Sequence, residues 1–140
     1  MLDSKVKFIE LPKVEEKDGN LSFFQNFDQI PFEIRRTYWI YDVPGGQFRG
    51  EHAFRKQQEF IVALSGSFDV ILNNGAEEKC FQLNRSYYGL YIPKMIWRSL
   101  KNFSTNSLAL IVSDSIYEAN DYIRNYDEYK KLTGNDFNHF

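Results

Sequence analysis

The chain has 140 residues, among them 13 Phe and 9 Tyr, and a formal net charge of −2. That suits one domain with a real core and gives no global attraction to nucleic acid. A single cysteine, Cys80, excludes an intrachain disulfide and a multi-cysteine zinc site. No early apolar run reads as a signal peptide and none is long enough to span a bilayer. The expectation is a soluble, cytoplasmic protein with no membrane or nucleic-acid partner.

In chain order the sequence reads as strand after strand. Val6 to Leu11 alternates and stops at Pro12. Lys17-Asp18-Gly19-Asn20 signals a turn into Leu21 to Phe24. After Pro31 comes one long β-branched and aromatic run, Phe32 to Val43, ended by Pro44-Gly45-Gly46. Arg49 to Phe54 precedes Phe60 to Leu64, which is apolar on both faces and predicted to be buried on both. Ser65-Gly66-Ser67 turns the chain into Phe68 to Leu72, and Asn73-Asn74-Gly75 turns it again toward Lys79 to Leu83, where Cys80 reads as a structural thiol. Tyr87 to Ile92, Ile96 to Phe103 and Ser107 to Ser113 follow. Turns at this spacing predict an all-β sandwich or barrel. Only the end changes period. Tyr117, Tyr122, Ile123, Tyr126 and Tyr129 recur at roughly helical intervals, predicting a helix through Asp121 to Tyr129 packed on the barrel. Fraying is expected from Thr133, and there is no internal repeat, linker or second domain.

The chemistry gathers at Arg49-Gly50-Glu51-His52-Ala53-Phe54. In an extended segment residues two apart share a face, so Gly50, His52 and Phe54 are predicted to point one way and Arg49, Glu51 and Ala53 the other. A histidine beside an aromatic is commonly a packed core residue, and only its wider spacing pattern favours a site. From Gly46 to Gly66 the pattern G-x5-H-x-F-x4-E-x6-G resembles the first cupin motif, in which two histidines and a glutamate enter a small barrel as metal ligands. Gly46, His52, Glu59 and Gly66 fit; Phe54 stands in place of the second histidine. Pro93 to Asn102 resembles the second motif, with Met95 in place of its glycine and Arg98 in place of its ligand histidine. Phenyl has no lone pair and guanidinium no acceptor. His52 and Glu59 alone fall short of the three protein ligands usual at a catalytic zinc. The resemblance implies one cupin domain, a jelly-roll-like barrel with a short C-terminal helix over about 8–132 and a frayed tail at 133–140. The side-chain chemistry implies no metal and no cofactor.

More specific patterns run from about Phe8 to Leu132. They are Pro31-Phe32-x-Ile34-x-Arg36-x-Tyr38, Arg49-Gly50-x-His52-Ala53, Gly66-Ser67, Gly89-Leu90-Tyr91, Trp97 and Asp121-Tyr122-Ile123-Arg124-x-Tyr126-Asp127. Together they resemble the sugar-nucleotide 3,4-ketoisomerases, cupins that act on dTDP-4-keto-6-deoxyglucose. These enzymes make the 3-keto sugar used for amino-deoxysugars of bacterial surface glycans. The family reads His-Ala-His where this chain has His52-Ala53-Phe54.

That resemblance implies a dTDP-linked keto-deoxysugar as partner and an isomerase activity. Moving a carbonyl from C4 to C3 requires taking the C3 proton, stabilising an enediolate and returning a proton to C4. An imidazole suits the proton transfer at neutral pH, so His52 is the candidate base for both carbons. Phe54 would line the substrate pocket but cannot move a proton between the two oxygens. That leaves water, a tyrosine such as Tyr38, or the substrate's own hydroxyl. Arg98 is a candidate partner for the enediolate, with a snorkelling surface arginine as the alternative. Glu59 would orient His52 or pair with an arginine, or else form a surface ion pair. Arg36 and Arg49 are candidates for gripping the diphosphate, Arg49 on likeness alone. Tyr91 and Trp97 are candidates for stacking on thymine or the sugar, and core packing explains Trp97 equally well. The likeness further implies a homodimer that exchanges N-terminal strands, drawn from Val6 to Phe24. Two other readings stay open: a cupin that binds a nucleotide sugar without turning it over, and a β-sandwich dimer with a degenerate pocket.

Overall fold

A computed structural model of the chain describes residues 5–134. The described residues form twelve strands and one α-helix: β1 (Lys7–Glu10), β2 (Lys13–Glu16), β3 (Gly19–Ser22), β4 (Arg36–Tyr41), β5 (Arg49–Phe54), β6 (Glu59–Ser65), β7 (Phe68–Asn73), β8 (Glu78–Leu83), β9 (Tyr88–Ile92), β10 (Trp97–Lys101), β11 (Leu108–Ser113), β12 (Tyr122–Ile123) and α1 (Tyr126–Gly134). One sheet runs β1-β9-β6-β11-β4 and a second β12-β5-β10-β7-β8, with β2-β3 as a separate hairpin. The expected all-β, jelly-roll-like sandwich with a short C-terminal helix is what forms.

The strand period of two decides what fills it. Ile61, Ala63, Leu90, Ala109 and Ile111 of the first sheet meet Phe68, Val70, Leu72, Leu83 and Leu100 of the second in the central apolar cluster. From Glu59 to Ala63 β6 is buried on both faces, as its composition requires, but Leu64, expected to be buried with it, is 44% exposed near the strand end. Its outward Phe60 and Val62 pack with Leu11, Ile30, Phe32 and Val112 under the segment that leads to β4. A third cluster, Ala53, Ile123 and Tyr129, seats α1 on the back of β5. Fully burying one such side chain stabilises by roughly 1.5–3 kcal/mol.

Three expectations about elements need correction. The run from Phe32 to Val43 is not one strand, because Phe32 is drawn into the outer cluster and the ladder proper is Arg36–Tyr41. The helix does not begin at Asp121. Ala119–Asp121 is a single 3-10 turn, Tyr122–Ile123 pairs with β5 as a strand, and the α-helix starts only at Tyr126. A helix there would have carried Tyr122 out of the sandwich. Nor does fraying start at Thr133, which is buried in α1 with its hydroxyl bonded to the Tyr129 carbonyl at 3.1 Å. The rest of the expected tail lies outside the described residues.

Candidate active site

Strand register assembles one polar end inside the sandwich. In the second sheet Arg98 of β10 lies directly opposite His52 of β5, and Tyr122 of β12 lies opposite Phe54. In the first sheet Glu59 of β6 and Arg36 of β4 flank Ser113 of β11. Tyr38 follows Arg36 on the same face. Arg98 and Glu59 are both about 1% exposed and form a bidentate pair, Nε to Oε1 at 2.7 Å and Nη2 to Oε2 at 3.1 Å. Two charges taken out of water repay that cost only with good geometry and satisfied remaining groups. Those conditions are met. Arg98 Nη2 also donates to the Tyr38 hydroxyl at 2.8 Å, Nη1 reaches the Gly50 carbonyl at 3.3 Å, and the Tyr38 hydroxyl donates to Glu59 Oε2. Burial alone would lower the Arg98 pKa; the Glu59 carboxylate and the Tyr38 oxygen outweigh it and hold the guanidinium above its usual range. The Tyr38 hydroxyl is raised well above its ordinary value by burial and by the Glu59 carboxylate, against the opposing effect of Arg98.

Gly50 makes room for this network. Its φ is +65°, and any Cβ there would run into Arg98 Nη1. The β5–β10 register shifts at the same point, between the Arg98–His52 and Leu100–Arg49 pairs.

His52 lies beside the ion pair. Its ring stands edge-on to Phe54 at 4.7 Å and to Tyr122 at 4.9 Å between centroids. Its Nε2 is buried with no hydrogen-bond partner among the described residues. Burial, and then the charges of Arg98, Arg124 and Arg36, push its pKa down to about 2, so the ring is neutral. Arg36 donates to the Tyr122 hydroxyl at 2.9 Å and lies over the rings of Tyr38 at 4.4 Å and Tyr117 at 5.2 Å. Arg124 lies over the Tyr122 ring at 4.2 Å. Exposure falls along a path inward: Tyr117 and Arg124 are exposed, Arg36, Tyr38 and Tyr122 are half-buried, and His52, Arg98 and Glu59 are buried. Among the described residues neither Arg36 nor Arg124 forms an ion pair. The arrangement is a neutral base below two uncompensated cations, suited to an anionic ligand whose reactive part reaches inward.

Six of the residues singled out from the sequence therefore come together: Arg36, Tyr38, His52, Phe54, Glu59 and Arg98. Three do not. Arg49 is exposed, lining a shallow cavity of about 220 Å³ with Trp39 to Pro44. Tyr91 lies on the outer face of its sheet, packed near Phe32 and bonded to Gln58, one residue out of phase with the inward Glu59. Trp97 faces the helix side of β10, against Tyr126 and Tyr129 at 5.2 and 5.7 Å, opposite in direction to Arg98. Gly50, Tyr117, Tyr122 and Arg124 were missed as site residues. The family-like Asp121-Tyr122-Ile123-Arg124 pattern carries the signal for Tyr122 and Arg124, and the helical spacing of the tyrosines around it hides the strand that places them.

The donor set does not fit a cupin metal. Among the described residues no group of three or more His, Cys, Asp or Glu side chains is placed to hold one. Both Glu59 oxygens are already engaged by Arg98 and Tyr38.

Residues 4–134 match the family described as FdtA: WxcM-like, C-terminal. The chain belongs to that family. Relatives of this FdtA-type chain are TDP-sugar 3,4-ketoisomerases. A TDP-4-oxo-6-deoxy-alpha-D-glucose-3,4-oxoisomerase of Aneurinibacillus thermoaerophilus is 34% identical over 125 residues, 89% of this chain and 90% of that protein. A histidine-to-asparagine variant of the 3,4-ketoisomerase QdtA of Thermoanaerobacterium thermosaccharolyticum was crystallised in complex with TDP-4-keto-6-deoxyglucose. It superposes with a TM-score of 0.93 at 32% identity, over 96% of this chain and 98% of that one. The TDP-quinovose 3,4-ketoisomerase WlaRB of Campylobacter jejuni gives 0.86 at 39% identity, over 90% and 97%. The cupin-type sandwich is thus shared with both of these structures over nearly their full length.

Proposed function

We propose that this FdtA-type chain is a sugar-nucleotide 3,4-ketoisomerase that converts dTDP-4-keto-6-deoxyglucose to the 3-keto-6-deoxyhexose. One observation carries the reading: the buried, unpartnered Nε2 of His52, on a ring paired across the strands with Arg98 and within the field of Arg124 and Arg36. An orphaned buried nitrogen costs free energy unless a ligand completes it. The relatives' named activity, with 34% identity over nearly the full length of one of them, supports the same reaction class.

In this mechanism Arg36 and Arg124 receive the diphosphate, where guanidinium matches phosphate oxygens. An anion there offsets two of the three charges acting on His52, so its basicity rises in the complex while the contribution of burial stays. His52 takes the C3 proton, and the enediolate oxygen forms next to fixed cations that need no reorganisation. Arg98 is held by Glu59 and Tyr38, and acts as a positioned positive edge rather than a mobile arm. His52 then returns the proton to C4 from the same face. Phe54 and Tyr122 pack on the imidazole and limit its rotation. Arg49, Tyr91 and Trp97 lie away from this interior and have no part in the step within one chain.

The wider reading is a single cupin domain over about 8–132, cytoplasmic, acting in deoxyaminosugar and surface-glycan biosynthesis as a homodimer with exchanged N-terminal strands. The exposed β2–β3 hairpin supports the dimer. No described helix is long and apolar enough to cross a membrane.

The test is direct. Purified protein incubated with dTDP-4-keto-6-deoxyglucose in D2O should move the keto group to C3, followed by NMR, and His52→Asn should abolish solvent deuterium uptake at C3 and C4 while keeping nucleotide affinity. Binding without conversion or uptake in the parent would instead identify a nucleotide-sugar binder.

A further inference from the structure

The ketoisomerase reading leaves one proton unassigned. Once His52 has moved hydrogen from C3 to C4, a second proton must still pass from O3 to O4, and Phe54 has no group to carry it. We propose that the Tyr122 hydroxyl is this oxygen-to-oxygen shuttle, an inference that rests on the ketoisomerase reading.

Position supports it first. Tyr122 is the cross-strand partner of Phe54, and its ring lies 4.7 Å from Phe54 and 4.9 Å from His52. It therefore stands across the strand pair from the side chain that lacks the chemistry. Hydrogen bonding separates it from Tyr38, the other tyrosine of the interior. The Tyr38 hydroxyl donates to Glu59 and accepts from Arg98, so both of its roles are taken. The Tyr122 hydroxyl accepts from Arg36 at 2.9 Å, and among the described residues its proton has no acceptor. Charge supports it third. Arg36 at the oxygen and Arg124 at 4.2 Å over the ring stabilise a phenolate as it develops. Lastly, Tyr122 is half-buried, between the exposed Tyr117 and Arg124 and the buried His52.

The step balances without a co-reactant. The C3–H bond breaks toward His52 Nε2, its electron pair forms C3=C4, and the C4 carbonyl pair moves to O4. O4 takes the proton from Tyr122, leaving the enediol and a phenolate. The phenolate then takes the O3 proton, C3=O3 forms, and the C3=C4 pair collects the proton from His52 at C4. His52 and Tyr122 end as they began.

Tyr122→Phe deletes the hydroxyl and keeps the ring against His52 and Phe54. With dTDP-4-keto-6-deoxyglucose in D2O, the expected result is deuterium uptake at C3 of recovered substrate within a few-fold of the parent, unchanged dTDP affinity, and conversion to the 3-keto sugar slowed about 10²-fold or more. Adding Phe54→His to that variant should restore conversion at least about tenfold, because an imidazole at 54 offers the missing donor and acceptor. Conversion by Tyr122→Phe within threefold of the parent overturns the assignment. So does an equal loss of uptake and conversion, which would place Tyr122 in binding or in orienting His52, and so does absence of rescue in a folded double variant. If Tyr122→Phe fails to fold, 3-fluorotyrosine at 122, which alters the hydroxyl and keeps its place, should change the conversion rate while leaving deuterium uptake at C3 and dTDP affinity unchanged, and an unmoved conversion rate counts against the shuttle. A parent that neither exchanges nor converts removes the ketoisomerase reading itself, an outcome distinct from all of these.

Discussion

Burial and three guanidinium groups act on His52 in the same direction, and the consequence is a measurable pH dependence. Its folded pKa of about 2 lies below the unfolded value near 6.5. Between the two, the unfolded chain binds more protons, so stability is full above about pH 6.5 and is lost as pH falls from there toward 2. From pH 7 to pH 5.5 the linkage amounts to about 1–1.5 kcal/mol. Chemical denaturation at both pH values should show the parent losing that much more than His52→Gln. An equal loss in both proteins would mean that the imidazole protonates in place. The Arg98–Glu59 pair beside it was visible in the sequence only as two motif positions. Whether Glu59 met Arg98, oriented His52 or sat on the surface depended on the barrel interior, where both charges are about 1% exposed and each is the other's compensation.

Among the elements, β12 has the smallest number of residues and the largest effect on the site. Its anchor is Asp121, about 5% exposed, whose carboxylate accepts from the Lys56 and Gln57 backbone N–H groups at 2.8 and 3.1 Å and from Gln57 Nε2 at 3.1 Å. Asp121→Ala leaves buried donors without an acceptor, at about 1–3 kcal/mol for such a group. The variant should be less stable by at least that order, and amide exchange should quicken at 55–57 and 122–123 together. Quickening at one segment alone would show that the two are not coupled through Asp121. The second cupin-like motif shows a related point in reverse. Met95, which stands where that motif has glycine, adopts φ +62°, and Asn102, which matches it, adopts φ +55°. Both positions lie in the left-handed region that glycine and asparagine tolerate, so the motif's glycine reflects a backbone demand that persists here without it.

At the scale of the molecule, the β2–β3 hairpin lacks a reason to exist alone. β2 is exposed throughout, and Val14 and Leu21 stand 43% and 57% exposed. Isolated two-stranded hairpins are marginal in water. Phe8 and Phe23 add further exposed apolar surface along the same N-terminal stretch, which is what a second copy would cover. Light scattering at micromolar protein should return a dimer mass. A monomer with full secondary structure would leave the hairpin unexplained and the exchanged-strand reading untenable.

Local patterning determined a great deal by itself. The alternation and turn chemistry from Phe68 to Ser113 place most of the strands, because period-two burial and Gly or Asn turns are decided within a few residues. The spacing from Gly46 to Gly66 also singled out His52, Phe54 and Glu59, since a motif records which side chains must share one interior. Only the tertiary structure decided the rest. Of a tyrosine stripe at helical spacing, Tyr126 and Tyr129 lie in α1, whereas Tyr122–Ile123 became a two-residue strand because β5 had an open edge to pair. Trp97 and Tyr91 turned outward because register, not residue type, sets the face of a strand. The role open to Tyr122 arises from a cross-strand neighbour 68 positions away in the chain, a distance over which no local pattern carries information.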